Sequence, residues 1–384
     1  MIPRTLFGPE HESFRTTVRR FITDHVTPFH VEWEKAGQVP RTLWRQAGEW
    51  GLLCCNVPAE YGGLSGDFLH SAVVLEEFAY AGATGPTFSL HSDIVAPYLV
   101  AFGNESQKQR WLPPMARGDV IGALGMSEPS GGSDVQAIRT QARRDGDEYV
   151  INGQKVFITN GHSADLLVLA CKTDPKARGR GISLILVETD RPGFTRGRRL
   201  EKIGCKAQDT AELFFTDLRV PVSNLLGAEG EGFAQLMTQL AQERLVQAIR
   251  AVASAEAALR WTLEYVSERA MFGRTLADFQ NTRFELAALH AEVVTQRVFV
   301  DRLVELHAAS QLDATDAAVA KLVTTELQGK VVDRCLQLFG GWGYMWEYPI
   351  ARAFVDARMA RIAGGAVEVM KQIISNALLP KRPG

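Results

Sequence analysis

The sequence predicts a mainly α-helical protein with a β domain in its middle. Apolar residues recur at helical spacing up to Arg117, alternate with polar residues from Arg139 to Thr159, and return to the helical period after Gly232. Helices and strands are therefore segregated along the chain, which argues against a doubly wound parallel sheet. We expect an N-terminal helical domain, a central β domain and a C-terminal helical bundle over residues 1–119, 120–226 and 227–384.

The N-terminal domain is predicted from its apolar spacing. Phe14, Val18 and Phe21 recur at intervals of four and three residues, as one face of a helix requires. Trp111 and Met115 repeat that spacing at the other end of the segment. We therefore expect helices throughout this third of the chain.

The central domain is predicted from turn signals and short apolar runs. Asp145-Gly146, Asn152-Gly153 and Asn160-Gly161 are dipeptides typical of hairpin turns. Leu166 to Ala170 and Ile182 to Val187 are apolar runs of strand length. About seven short strands in roughly a hundred residues favour a small β-barrel or sandwich.

The C-terminal domain is predicted to consist of long helices. Phe233 to Arg269, Asp278 to Ser310 and Asp316 to Leu338 each keep the helical period for longer than an ordinary globular helix. Helices of that length with short connections pack as a bundle.

Composition excludes several classes of function. The 384 residues carry 42 Lys and Arg against 44 Asp and Glu, a net charge of −2, which gives no electrostatic case for binding nucleic acid or an anionic membrane. The sequence contains no run of eighteen apolar residues, the length expected of a membrane-spanning helix. The 5 cysteines are odd in number and form no C-x-x-C pair, so we expect reduced thiols and a cytoplasmic location, or the mitochondrial matrix if a targeting segment was removed.

Motifs for metal, serine hydrolase and Rossmann chemistry are missing from the sequence. There is no H-E-x-x-H spacing, no G-x-S-x-G elbow and no G-x-G-x-x-G fingerprint. We expect no metal site, and any dinucleotide must bind in another way.

Two glycine-rich segments could hold a flat, polar ligand. Gly125 to Asp134 combines glycines, serines and a proline, so its backbone N–H groups and hydroxyls could face a ligand. On composition alone, a plain connection into the first strand is the favoured alternative. Gln337 to Tyr348 follows a long helix and mixes glycines with aromatic residues. It could be a glycine-rich turn that ends the helix and packs its aromatic residues, or a binding site for a planar ligand.

Glu243 is the candidate general base. Leu236, Leu240, Glu243 and Gln247 lie at spacings that place the carboxylate on the apolar face of a helix. Partial burial raises the pKa of a carboxyl and makes it a better base near neutral pH. The alternative is a Glu paired with neighbouring polar groups.

Together these segments resemble the acyl-CoA dehydrogenase family, and the resemblance covers essentially the whole chain. Gly125 to Asp134 is similar to the family's first signature, and Gln337 to Asp356 to its second. Lys155 to Gly161 resembles the strand that stacks on the flavin ring, and Glu268 to Arg274, with Gln280 beyond it, resembles the segment that holds the dinucleotide.

The resemblance implies an N-terminal helical domain, a β-barrel and a C-terminal four-helix bundle, with FAD extended between barrel and bundle. It also implies an acyl-CoA substrate, a homotetramer and an electron-transfer flavoprotein as electron acceptor. The acyl-CoA would contact Ser133, Arg244 and Gly365. The FAD-binding residues would be Met126, Ser127, Ser133, Phe157, Ile158, Thr159, Arg269, Gln280, Gln337, Gly340, Gly341 and Glu368.

The catalytic residues implied by the resemblance are Glu243 and Gly364. Many members carry the base where this chain has Gly364, whereas the long-chain and isovaleryl members carry a Glu in a Glu-Arg-Leu context that Glu243 matches. Ala363 and Ala366 depart from the usual Tyr and Thr, which changes the acyl pocket and one flavin contact.

The implied reaction is dehydrogenation of an acyl-CoA to its trans-2-enoyl product, with Glu243 as base, flavin N5 as hydride acceptor and the Gly364 N–H polarising the thioester oxygen. The context of Glu243 is closest to the long-chain subgroup. Alternatives are a flavin-dependent oxidase or monooxygenase on the same fold, or a non-catalytic acyl-CoA-binding scaffold.

Overall fold

A computed structural model of the chain describes residues 2–379. Met1 and residues 380–384, the outer ends of the first and third expected domains, lie outside the described residues. The element order confirms the mainly α fold with a central β domain. Among the described residues, no helix has the length and apolar character needed to cross a bilayer.

The N-terminal part is helical, as its apolar spacing predicted. Asp67 caps the fourth helix by accepting hydrogen bonds from the backbone N–H groups of Leu69 and His70. A π-helical segment, Leu90–Val95, runs directly into the fifth helix. The six α-helices are α1 (Pro9–His25), α2 (His30–Ala36), α3 (Arg41–Glu49), α4 (Phe68–Tyr80), α5 (Ala96–Phe102) and α6 (Glu105–Ala116).

The central part is a sheet of eight strands. The strand order is β6-β7-β3-β2-β4-β5-β8, with β1 paired to β4. A single residue pair, Gln141 with Lys172, joins β2 to β4, so the sheet forms two halves with a shared apolar core between them. The strands are β1 (Gly122–Gly125), β2 (Gln141–Asp145), β3 (Glu148–Thr159), β4 (Leu166–Lys172), β5 (Ile182–Glu188), β6 (Phe194–Arg199), β7 (Thr210–Pro221) and β8 (Leu225–Leu226).

Two hairpin predictions were wrong. Asn160-Gly161 lies in a turn between β3 and β4, but β2 separates these two strands in the sheet. Asp145-Gly146 does connect β2 and β3, but Asn152-Gly153 lies inside β3, at a β-bulge. There the Asn152 side chain exchanges two hydrogen bonds with Asp217 on β7. A Cβ on Gly153 would come within 2.7 Å of the Thr140 Cα, so the glycine is needed for close backbone approach rather than for a turn.

The C-terminal part is a helical bundle whose long helices begin and end close to the predicted residues. Small residues on one long helix, such as Ala248, Ala251, Ala255 and Ala258, are buried and allow the neighbouring helices to approach closely. The helices are α7 (Gly232–Glu268), α8 (Gln280–Ala308), α9 (Ala314–Phe339), α10 (Pro349–Ala360) and α11 (Val367–Leu378). A two-stranded hairpin, β9 (Ala270–Met271) with β10 (Arg274–Thr275), connects α7 to α8.

Candidate active site

Glu243 lies in the first half of α7 and is buried, as the helical pattern predicted. Its Oε1 accepts a hydrogen bond of 3.0 Å from the hydroxyl of Tyr98 on α5. Burial raises the pKa of the Glu243 carboxyl to about 7, against smaller opposing effects of the Tyr98 hydrogen bond and the Arg244 charge. A carboxyl with that pKa is partly ionised at neutral pH and can accept a proton.

The π-helical segment before α5 positions Tyr98 against Glu243. The carbonyl of Asp93, inside this segment, accepts a hydrogen bond of 2.6 Å from the side-chain amide of Gln242. The Oε1 of Gln242 lies 3.0 Å from the Nε2 of His307 on α8. Gln242, which precedes Glu243 on α7, is thus tied to the π-helical segment and to α8.

Arg244 and Lys321 bring positive charge to the neighbouring face of the site. Arg244 is buried, and its Nε has no hydrogen-bond partner among residues 2–379. Lys321 donates a hydrogen bond of 2.6 Å to the carbonyl of Gly365. Burial, and next the charge of Arg244, lower the pKa of Lys321 to about 8. Such a pair of cations is suited to a polar or anionic ligand.

The Gly364-Gly365 turn approaches α7 one helical turn beyond Glu243. A Cβ placed on Gly364 would have one near neighbour, the Cγ of Gln247, at 3.5 Å. Gly364 and Gly365 have φ angles of +66° and +93°, a region that favours glycine. Within residues 2–379 the Gly364 N–H donates no backbone hydrogen bond. That N–H is therefore available to an acceptor beside Glu243.

A cavity of about 80 Å³ opens beside this turn, between α4, α7 and α10. Gln247 contributes to its wall, which places one end of the cavity a helical turn from Glu243. Much of the wall is made of small side chains, including Ala79, Gly82, Ala83, Ser254 and Ala360. Arg250, Arg352 and Asp356 add charged groups to this wall.

The barrel presents an exposed aromatic ring on a strained bulge. Phe157 is 68% exposed and has a φ of +60°, at a register shift between Lys155 and Ile158 of β3. A positive φ at a non-glycine residue costs free energy and is characteristic of functional positions. By contrast, the Ile158 side chain is buried in the barrel core, so only its backbone can meet a ligand.

A buried ion pair anchors the Gly125 to Asp134 loop to β3. The Nζ of Lys155 lies 2.8 Å from the Oε1 of Glu128 and donates to the Met126 carbonyl at 3.0 Å. Glu128 also accepts hydrogen bonds from the backbone N–H groups of Arg139 and Thr140. This pair is not predictable from sequence, because nothing local signals that a Glu and a Lys 27 residues apart will meet.

Four of the residues predicted to bind FAD lie in or beside the β domain. Met126 and Ser127 are half-buried at the end of β1, and the Ser127 carbonyl accepts a hydrogen bond from the Val156 N–H. The Thr159 hydroxyl accepts one of 3.0 Å from Gln208. Ser133 is exposed further along the same loop.

A second group of predicted residues lies at the far end of the bundle. Arg269 and Gln280 flank the β9-β10 hairpin, and the stacking of Tyr265 on Phe339, with ring centroids 4.1 Å apart, ties this region to the end of α9. All five members of the group are exposed: Arg269, Gln280, Gln337, Gly340 and Gly341. Glu368 is also exposed but belongs elsewhere, in the first turn of α11 near Gly364.

The two groups are far apart within one chain. Arg269 follows the end of α7, and at a rise of 1.5 Å per residue it lies about 39 Å along the helix from Glu243. A dinucleotide with its reactive ring beside Glu243 cannot also contact Arg269 of the same chain. The FAD-binding residues expected from the resemblance thus lie in two separate places in the chain.

A third cluster, which no sequence spacing predicted, combines ligand types found at metal sites. The side chains of His11, Asp67 and His70 place one N or O atom each within 4.8 Å of one another. His11 Nδ1 accepts a hydrogen bond from the Gly8 N–H, so its Nε2 donates to Asp67 Oδ1 at 3.1 Å. These atoms are already used in fixing α1 to the start of α4.

Three family models match consecutive parts of the chain. Residues 8–119 match "Acyl-CoA dehydrogenase, N-terminal domain", residues 123–218 the middle domain and residues 230–379 the C-terminal domain. The chain belongs to the acyl-CoA dehydrogenase family. It is thus an FAD-dependent enzyme of a family of flavoproteins that act in fatty acid β-oxidation and are typically tetramers.

Individual acyl-CoA dehydrogenases support this assignment. The mitochondrial long-chain specific acyl-CoA dehydrogenase of Sus scrofa is 49% identical over 98% of this chain and 88% of its own length. An acyl-CoA dehydrogenase structure from Geobacillus kaustophilus has a TM-score of 0.97 at 48% identity, covering 98% of this chain and 100% of that one. A glutaryl-CoA dehydrogenase from Mycobacterium smegmatis in complex with FADH2 has a TM-score of 0.92 at 28% identity, covering 98% and 96%.

The site of this acyl-CoA dehydrogenase fits a flavin dinucleotide on its own geometry. The exposed Phe157 ring offers a flat surface beside the hydroxyl of Thr159. A Cβ on Gly131 or Gly341 would meet nothing within 4 Å, so both glycine-rich segments leave room for a ligand to approach the backbone. A bound flavin would cover the exposed Phe157 ring and give a reason for its strained backbone.

Proposed function

We propose that Glu243 removes the α proton of an acyl-CoA thioester in its oxidation to the trans-2-enoyl-CoA. The observation that carries this proposal is the buried carboxyl itself, with a pKa of about 7, set one helical turn from the cavity wall and from the Gly364 turn. Gly364 has no side chain, so it cannot supply a base from the other side of the cavity.

The reaction removes a proton from one carbon of the substrate and a hydride from the next. When bound, FAD supplies N5 as the acceptor for the β hydride and a ribityl hydroxyl as a donor to the thioester oxygen. Glu243 takes the α proton and becomes neutral, which its buried position favours. The electron pair of the α C–H bond then forms the new double bond as the hydride leaves the β carbon.

The Gly364 N–H is the protein's donor to the thioester oxygen in this proposal. An α C–H is a weak acid, and its removal is assisted where donors face the developing negative charge on the oxygen. The unpaired N–H beside Glu243 supports this role. Ser133, Arg244 and Gly365 would contact the rest of the acyl-CoA, with the buried guanidinium of Arg244 available to its polar part.

We propose that the cofactor is shared between subunits of a homotetramer. Met126, Ser127, Ser133, Phe157, Ile158, Thr159 and Glu368 would hold FAD within one chain, with Ile158 contributing its backbone. The exposed bundle-end residues would reach the FAD of a neighbouring subunit, which the separation of about 39 Å between Arg269 and Glu243 supports. These residues are Arg269, Gln280, Gln337, Gly340 and Gly341. In this proposal each subunit consists of three domains, over residues 1–119, 120–226 and 227–384.

We further propose that an electron-transfer flavoprotein takes the electrons from the reduced enzyme. An oxidase would instead consume oxygen in step with substrate. Oxygen uptake during turnover, measured with and without an electron-transfer flavoprotein, distinguishes the two.

The experiment that tests the assigned base is Glu243→Gln in the FAD-loaded enzyme, read as the rate at which octanoyl-CoA bleaches the flavin absorbance. The amide keeps the shape but accepts no proton, so we expect a loss of about a hundredfold to ten-thousandfold. Glu264→Gln, an exposed position on the same helix, serves as the matched control and should keep the native rate. Native-like bleaching in Glu243→Gln would reject the assignment.

A further inference from the structure

The cavity beside Glu243 contains charged groups that an alkyl chain cannot use. Its wall includes Arg250, Arg352 and Asp356 among otherwise small and apolar side chains. Two guanidinium groups therefore face one carboxylate. A cavity meant only for a hydrocarbon chain would be expected to lack them, because burying an uncompensated charge is unfavourable.

Two of these three groups have partners within the protein. Asp356 accepts hydrogen bonds from the Cys205 N–H and from the hydroxyl of Thr84 at 3.0 Å. Arg352 donates one of 2.7 Å to the Trp346 carbonyl. Their polar atoms are thus at least partly satisfied by the fold.

Arg250 differs from the other two. Its guanidinium makes no hydrogen bond and no ion pair within 4.0 Å to any residue in the range 2–379. The charges of Asp356 and Asp93 act on it without a direct hydrogen bond or ion pair. Burial lowers the pKa of Arg250, but an arginine in this setting stays protonated. The cavity therefore holds a cation whose five N–H donors are free.

The position of Arg250 on α7 relates it to the reacting end of the substrate. It follows Glu243 by seven residues, which is two turns of helix and about 10 Å along the same face, and Gln247 lies between them. Helical side chains generally lean toward the helix N-terminus, and Glu243 lies on that side of Arg250. An acyl chain with its α carbon at Glu243 enters the cavity within reach of this group.

We propose that the enzyme accepts acyl-CoA thioesters whose acyl chain carries a second carboxylate at its far end, and that Arg250 binds this carboxylate. The inference rests on the proposed function, because it takes the cavity as the acyl site. A guanidinium matches a carboxylate through two parallel hydrogen bonds, whereas an apolar chain would displace water from Arg250 and leave it unpaired. Arg250 is thus a specificity-determining residue at the distal end of the acyl site.

The test compares two thioesters of equal chain length, suberoyl-CoA with a terminal carboxylate and octanoyl-CoA with a terminal methyl group. In the native enzyme we expect kcat/KM for suberoyl-CoA to equal or exceed that for octanoyl-CoA. Arg250→Met removes the charge at similar length and should lower the suberoyl-to-octanoyl ratio by roughly ten- to a hundredfold, since hydrogen bonds to charged groups are the strong ones. Arg250→Lys should retain part of the preference.

The matched control is Arg260→Met, an exposed arginine of α7 outside the cavity, which should keep the native ratio. Binding of both thioesters to Glu243→Gln, measured by calorimetry, gives the same comparison without turnover. A native enzyme that discriminates strongly against suberoyl-CoA, or a ratio that Arg250→Met leaves unchanged, overturns the inference. Failure of the base assignment shows separately, as octanoyl-CoA turnover that survives Glu243→Gln.

Discussion

Tyr98→Phe isolates the hydrogen bond that holds the proposed base. The substitution keeps the buried ring and removes the hydroxyl that donates to Glu243 Oε1 at 3.0 Å. That bond favours the ionised carboxylate, and hydrogen bonds to charged groups contribute roughly 1.5–3 kcal/mol. One pKa unit corresponds to about 1.36 kcal/mol. We therefore expect the pKa of Glu243, about 7 in the native protein, to rise by roughly one to two units.

The sign of the effect follows from the protonation state that reacts. A base acts when ionised, so the rate rises with pH through its pKa. In Tyr98→Phe that rise should move to higher pH by the same one to two units. At a pH below both pKa values the variant should be roughly ten- to a hundredfold slower than the native enzyme, and above both it should be at least as fast.

Stopped-flow bleaching of the flavin by octanoyl-CoA without oxygen, recorded across pH, measures this shift directly. Tyr61→Phe removes a similar phenol-to-carboxylate hydrogen bond, 2.8 Å long, between Tyr61 and Glu105, neither of which is hydrogen-bonded to Glu243. Its pH profile should match the native one. A Tyr98→Phe profile that keeps the native midpoint, or moves to lower pH, would refute the reasoning.

Two further predictions concern the same carboxyl. Because burial raises the pKa of Glu243 from 4.5 to about 7, its ionisation destabilises the native state as pH rises through that window, so Glu243→Gln should unfold at a higher temperature than the native protein at pH 8 and at a similar one at pH 4. Equal melting temperatures across that range would contradict this. In Glu243→Gly combined with Gly364→Glu, we expect partial recovery of activity relative to Glu243→Gly alone, with an altered acyl-chain preference, measured as kcat/KM over an acyl-CoA series. Recovery is limited because a misplacement of about 1 Å can cost roughly a hundredfold, and because position 364 has a φ of +66°, which costs a residue with a Cβ about 1–2 kcal/mol. Full activity of Glu243→Gly itself would reject Glu243 as the base, whereas failed recovery alone would reject only the geometry of position 364.

The elements that could be predicted from sequence are those whose signal is local and repeated. The long helix predicted from Phe233 to Arg269 is observed as Gly232–Glu268, because its apolar period continues over ten turns. Glu243 could be placed on the apolar face for the same reason. The hairpin prediction at Asn152-Gly153 was wrong because a turn dipeptide and a β-bulge use the same permissive residues.

The contacts that complete the site were not predictable, because each joins distant parts of the chain. Tyr98 and Glu243 are separated by 145 positions, and no periodicity relates them. Arg250 carries no distinguishing sequence signal, since an arginine on a long helix is usually a solvated side chain. Only the tertiary packing shows that its helix face is turned toward a cavity.

The π-helical segment Leu90–Val95 makes the length of this stretch as important as its composition. A π-helical turn accommodates one residue more than an α-helical turn. Deleting a single residue from it would restore the ordinary α-helical phase and rotate everything that follows by about 100° around the helix axis. Tyr98 would then point away from Glu243 although both residues were still present. In this enzyme the hydrogen bond to a buried carboxylate therefore depends on the number of residues in a neighbouring helix. A deletion tests this dependence, whereas a substitution does not.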